Sequence, residues 1–105
     1  MDAAEDPAAL LHAAADRLET LAARSTPGDW RLTGLLASRP EVVALRPDGS
    51  TEHVAEARAA SGAWIAALSP AVAAPLAAAH RAAAEEPAGA GHLVELAGVL
   101  LARLP

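Results

Sequence analysis

The chain of 105 residues contains no cysteine, phenylalanine, tyrosine or lysine, and its only aromatic residues are two tryptophans. Without cysteine, a disulfide framework and thiolate metal sites are excluded, and the composition is compatible with a reducing compartment. Residues 1–7 are acidic and interrupted by a proline, which is not the pattern of a signal peptide. We also expect no uncharged apolar run of the roughly 18 residues that a membrane-spanning helix needs. These features predict a cytoplasmic protein.

The formal net charge is −5 at pH 7, and the acidic residues are spread along the chain. Such a surface repels phosphate, and affinity for nucleic acid requires clustered cations. Most of the arginines nevertheless lie in the N-terminal part of the chain: Arg17, Arg24, Arg31, Arg39, Arg46 and Arg58. Dispersed, solvated arginines are the favoured interpretation, and a small nucleic-acid-binding regulator remains the alternative.

Leucine and alanine recur at helical spacing over residues 7–24 and predict an N-terminal helix. Asp6 is a suitable N-cap, and Pro7 fits the first helical turn because it has no N–H to leave unpaired. Residues 1–6 are expected to be disordered. The sequence Thr26-Pro27-Gly28 then ends the helix.

The only β-like composition lies between residues 29 and 56. One strand is predicted at residues 30–33, continuing at Leu35-Leu36, and a second at residues 42–46, with turns at residues 38–41 and 47–50. Residues 51–56 could open a helix that runs to Leu68 or form a third strand. We favour the strand, because a tight Asp-Gly turn after a strand usually returns the chain antiparallel.

From residue 61 the chain is predicted to be helical, with Ser69-Pro70 ending one helix and starting the next. Pro75 would cost about 3 kcal/mol in a regular helix interior, so we expect either a kink or a helix that begins near Ala73. Residues 85–91 are predicted to be a loop before a last helix. The predicted fold is a single small α+β domain over residues 1–105, dominated by helices. It has an N-terminal helix, an antiparallel meander of two or three strands, and three C-terminal helices.

The sequence Thr26-Pro27-Gly28-Asp29-Trp30 follows the first helix, and residues 64–70 read Trp-Ile-Ala-Ala-Leu-Ser-Pro. Together with the valine strands around an Asp-Gly turn, these segments resemble the small Ead-like proteins of phages and actinobacteria. In that family the first segment reads Thr-Pro-Gly-Pro-Trp, and here Asp29 replaces its second proline. In the second segment, Trp64 replaces the phenylalanine that is usual in the family. The resemblance implies a third strand at residues 51–56 and an origin in phages or mobile elements, and it implies no chemistry.

No catalytic site, metal site or cofactor is predicted. Three histidines have an acidic residue three or four positions further on: His12 with Asp16, His53 with Glu56, and His92 with Glu95. A zinc site needs three or four converging ligands, so solvated surface pairs are favoured. The serines occur at predicted turns and helix ends, where they satisfy backbone groups.

The two tryptophans and Ile65 are predicted to anchor the core, because a chain poor in bulky apolar residues gains most by burying them. Trp30 is placed at the start of an edge strand, and Trp64 at the start of the second helix. If the two rings pack together, they would join the first strand to that helix.

The last helix is apolar on nearly all sides. Its predicted interaction residues are Leu93, Leu96, Leu100, Leu101 and Leu104. A small domain can rarely enclose a terminal helix completely, so this helix is expected to be shared with a protein partner or with a second copy in a homodimer. The predicted function is therefore that of a non-catalytic protein-interaction or accessory protein.

Overall fold

The computed structural model describes residues 6–34 and 39–105. Its elements, in chain order, are α1 (Pro7–Arg24), β1 (Asp29–Thr33), β2 (Glu41–Leu45), β3 (Thr51–Glu56), α2 (Ala59–Ala67), α3 (Ala73–Glu85) and α4 (Gly91–Arg103), with 3-10 turns at Pro70–Val72 and Pro87–Gly89. This arrangement confirms the helix-dominated α+β fold, the three strands and the three C-terminal helices. The predictions for residues 1–5, for Leu35-Leu36 and for Ser38 fall outside the described residues.

The chain divides into two compact units. We call residues 1–24 with 73–105 the helical unit, and residues 25–72 the sheet unit. The sheet unit is one continuous segment that lies between α1 and α3 in the sequence. The helical unit therefore consists of two separate segments of the chain. The single-domain organisation expected from the sequence stays a prediction.

In the helical unit, α1 packs against both α3 and α4. The carboxylate of Asp6 accepts a hydrogen bond from the Ala8 N–H at 3.2 Å, as expected for the residue before Pro7. Leu11 and Ala14 of α1 are fully buried and pack with Ala97 of α4. Small residues at this contact let the helices approach closely, so the core is built from little apolar volume.

The sheet unit is an antiparallel meander with strand order β1-β2-β3. β2 is the central strand, and its residues Val42, Val43 and Ala44 are buried. The turn between β2 and β3 is closed by two backbone hydrogen bonds of 2.9 Å, between Arg46 and Ser50 and from the Gly49 N–H to the Arg46 carbonyl. β3 covers the residues for which the sequence left helix and strand open, and the strand is confirmed.

α2 packs against β1 and β2 through the side that carries Gly62. A Cβ atom added at Gly62 would lie 2.6 Å from Cδ1 of Leu32, so this glycine permits close approach of the helix to the sheet. The following helix, α3, begins at Ala73, which confirms one of the two outcomes expected for Pro75. Pro75 therefore lies in the first turn, where a missing N–H leaves no helical hydrogen bond unmade.

One expectation from the sequence was wrong. The run from Ala59 to His80 contains no Asp, Glu, Lys or Arg, and Ala59–Glu85 is long and apolar enough to cross a membrane by length and composition alone. In the structure, this segment consists of α2, a 3-10 turn and α3. A cytoplasmic location therefore stays a prediction.

Candidate protein-interaction surface

The most exposed large apolar side chains of the described residues lie on α2 and at its C-terminal end. Trp64 is 69% exposed and Leu68 is 61% exposed. Alanines at helical spacing lie beside them and are exposed as well: Ala60, Ala63 and Ala67. We call these five residues the α2 face. No residue of α2 is charged, and its polar residue Ser61 is also exposed.

The placement of Trp64 corrects the prediction that it anchors the core. Gly62 lies against the sheet, and Trp64, two positions later, is turned by roughly 200° on a helix with 3.6 residues per turn. It therefore points away from the sheet. Ile65 and Trp30 are half-buried, and the Trp30 indole N–H donates to the carbonyl of Thr26 at 2.9 Å.

The predicted interaction residues of α4 are divided by the structure. Leu93 and Leu101 pack against the buried cluster of Leu11, Ala14 and Ala97, so these two contribute to the core of the helical unit. Their assignment to an intermolecular surface stays a prediction. Leu96, Leu100 and Leu104 are half-buried, and their part in a dimer stays a prediction.

A cationic group lies at the N-terminal end of α2. Arg58 is the residue before the helix, is exposed, and forms no ion pair with any residue that the structure describes. It lines an open notch of about 320 Å³ with Arg39, Pro40, Glu56 and Ala57. Within the notch, Nη1 of Arg39 lies 3.4 Å from Oε2 of Glu56, so Arg58 is the less neutralised of the two cations.

Besides Arg39, three of the eight arginines are paired with acids. Arg31 lies 2.6 Å from Asp29, and Arg46 lies 2.6 Å from Glu52. Arg81 of α3 pairs with both Asp16 and Glu19 of α1. The hydrogen bonds that Arg81 donates to Glu19 and, with a smaller effect, to Asp16 raise the pKa of Arg81 above its ordinary value. These pairs neutralise part of the cationic charge locally, and the interpretation of the arginines as dispersed and solvated stays a prediction.

The structure pairs His53 with an acid other than the one three positions further on in the sequence. Nδ1 of His53 lies 2.7 Å from Glu41, on the neighbouring strand, and its sequence neighbour Glu56 pairs with Arg39 instead. No group of three or more His, Cys, Asp or Glu side chains in this part of the chain could hold a metal ion.

Sequence reasoning missed His80, which is fully buried in α3. Its Nδ1 lies 2.8 Å from the carbonyl of Leu76 and donates to it, while Nε2 has no hydrogen-bond partner among the residues that the structure describes. The sequence signal that could have revealed its burial is helical spacing, because Ala73, Ala77 and His80 lie on the same buried side of α3. An imidazole enclosed in this way cannot reach a dissolved substrate.

No protein-family model, curated protein or solved structure matches this chain. The resemblance to the Ead-like proteins, carried by the Thr-Pro-Gly-Asp-Trp box, stays a prediction.

Proposed function

We propose that this chain is a non-catalytic protein-interaction module, and that it binds its partner through the α2 face. The observation that carries the proposal is the exposure of Trp64 and Leu68, four residues apart on a helix without charge. Contiguous exposed apolar surface marks interaction sites in soluble proteins. Tryptophan is also among the residues most enriched at the energetic centres of interfaces.

The greater exposure of its large apolar side chains supports α2 over α4 as the binding surface. On α4, the largest exposed apolar residue is Val99, at 46%, and two of the five leucines are engaged within the helical unit. An accessory role linked to phages or mobile elements has its support in the sequence resemblance alone.

The alternative function, nucleic-acid binding through the N-terminal arginines, receives less support. Arg31, Arg39 and Arg46 are each paired with an acid. A tryptophan that stacks on bases usually works beside cations that contact the backbone. The cation beside α2 is Arg58, which precedes the helix.

The test is affinity capture from the native host with three baits: the wild-type chain, a Trp64→Gln/Leu68→Gln variant, and Val99→Gln as the matched control. Val99 is also an exposed apolar helix residue, but it lies in the helical unit. We expect the wild type and the control to retain the same protein, which mass spectrometry identifies. The purified protein should then bind both baits directly. The α2 variant should lose it.

Equal retention by the α2 variant would place binding elsewhere and contradict the proposal. Turnover of a small-molecule substrate, or stoichiometric zinc binding, by the purified chain would contradict its non-catalytic character.

A further inference from the structure

We propose that the partner of the α2 face is a polypeptide segment with apolar side chains that contact Trp64 and Leu68, and with an acidic side chain at one end that pairs with Arg58. The inference rests on the proposed function and names the chemistry of the partner. The observation that carries it is an unpaired cation at the end of an uncharged, exposed helix.

Arg58 is the charged residue closest to the α2 face along the chain. No Asp, Glu, Lys or Arg follows it before Arg81. On its other side, Glu56 is already paired with Arg39, at 3.4 Å. Two arginines and one glutamate line the notch at this point and leave one positive charge in excess. The N-terminal end of α2 is therefore locally cationic, although the whole chain is acidic.

The tryptophan and the cation lie close together along the helix axis. Side chains on a helix lean towards its N-terminus, so a residue covers the surface of the turn before its own Cα atom. Trp64 therefore covers the turn that contains Ala60 and Ser61, and Ala60 is only about 3 Å along the axis from Arg58. A partner helix about 10 Å wide that covers the indole therefore reaches the end of α2 where Arg58 is exposed.

The sign of the charge on the partner follows from Arg58 and not from the net charge of the chain. A net charge of −5 would by itself attract a basic partner. At physiological ionic strength, however, exposed charges more than about 8 Å apart are largely screened, so the charge beside the contact decides. A lysine or arginine opposite Arg58 would be repelled, whereas a carboxylate accepts charge-assisted hydrogen bonds from the guanidinium.

The end of the helix favours the same sign. Among the described residues, no side chain caps the N-terminal end of α2, and its first turn contains no acidic residue. The first N–H groups of a helix carry partial positive charge, which a carboxylate stabilises. An acidic side chain at this end of the partner is therefore stabilised by Arg58 and by the helix together.

The first experiment uses a displayed library of random peptides as the probe. The library is selected on the full wild-type chain and counter-selected on Trp64→Gln, so that only peptides that need the α2 face remain. We expect these peptides to be apolar and to have Asp or Glu enriched at one end, relative to the unselected library. Enrichment of Lys or Arg, or enrichment of no charge at all, would overturn the proposal.

Charge reversal then tests Arg58 with one selected peptide. Arg58→Glu should raise the dissociation constant about 5-fold or more, because it removes an ion pair and adds repulsion. Replacing the acidic residue of the peptide by lysine should restore binding to this variant. Arg24→Glu is the matched control: it changes the net charge equally at an exposed arginine without a described ion-pair partner, at the end of α1. Equal effects of the two variants would overturn the proposal.

The proposed function and this inference fail in different ways. Trp64-dependent binding of a protein that Arg58→Glu leaves unchanged would overturn the acidic contact and would still support the protein-interaction function. If neither a peptide nor a host protein binds in a Trp64-dependent way, both are wrong.

Other occupants of the α2 face give distinct results. Trp64-dependent self-association in sedimentation, with no peptide selected, would identify a second copy of the chain. Trp64-dependent binding to phosphatidylcholine–phosphatidylglycerol vesicles, again with no peptide selected, would identify a membrane. Either result would overturn the proposal.

Discussion

α2 and α4 are both largely apolar helices, yet the structure uses them differently. α4 packs on α1, and its Leu93 and Leu101 join the buried cluster of the helical unit. α2 lies against the sheet by a narrow side centred on Gly62 and leaves its tryptophan in solvent. Apolar character around a whole helix is therefore compatible with either role, and the width of the packed side decides between them.

The contrast also explains where the bulky residues are placed. In the helical unit, leucines fill the space between helices and the alanines set their separation. On the side of α2 that faces the sheet, glycine occupies the closest point, so a large side chain would not fit there. The largest residue of α2 is left to the outer side.

The largest expected effect concerns the buried contact of α1 with α4. Leu11→Ala should lower the free energy of unfolding by about 2–5 kcal/mol, because it removes a fully buried side chain and leaves a cavity. Chemical denaturation followed by circular dichroism measures the change. Leu21→Ala on the same helix is the matched control: Leu21 is 36% exposed, so its cost should stay below about 1 kcal/mol. An equal loss of unfolding free energy in the two variants would contradict the packing described for α1.

The next effect concerns the sheet unit. Gly28 has φ = +118°, and a Cβ atom there would lie 2.9 Å from the carbonyl oxygen of Leu45. Gly28→Ala should therefore cost about 1–3 kcal/mol through backbone strain and collision. Gly49 also has positive φ, 86°, but no atom lies within 4 Å of the position of its Cβ. Gly49→Ala should therefore lower the free energy of unfolding by less than Gly28→Ala does. A larger loss for Gly49→Ala would contradict the close approach of Gly28 to Leu45.

The secondary structure was largely predictable because strong local signals lie at its boundaries. Asp6-Pro7 predicted the start of α1, and the Asp48-Gly49 turn predicted the return of β3. Helical periodicity did not reveal which side of α2 would be covered, because alanine, glycine and isoleucine fit either side. The error on Trp64 came from ranking residues by size alone. The close approach of Gly62 to Leu32 depends on contacts across the fold that spacing does not encode.

The smallest effect is a pH dependence of the turn between β2 and β3. The side chain and then the backbone N–H of Ser50 donate to the Asp48 carboxylate and lower the pKa of Asp48 below its ordinary value near 4. Because the folded pKa lies below the unfolded one, this stabilisation is complete above about pH 4 and is lost as the pH falls through the folded pKa. Carbon-detected NMR titration should show that Ser50→Ala raises the pKa of Asp48. A pKa of Asp48 that Ser50→Ala leaves unchanged would contradict the hydrogen bond from the Ser50 side chain.

The central claim, that α2 presents a binding surface while α4 belongs to the core, is tested most directly by two matched truncations. The free energy of unfolding of Trp64→Ala and Leu101→Ala should be measured by chemical denaturation under identical conditions. We expect Trp64→Ala to change it by less than about 0.5 kcal/mol, as at exposed positions, and Leu101→Ala to lower it by at least about 1 kcal/mol. A larger loss for Trp64→Ala than for Leu101→Ala would show that Trp64 anchors the core and would contradict the account.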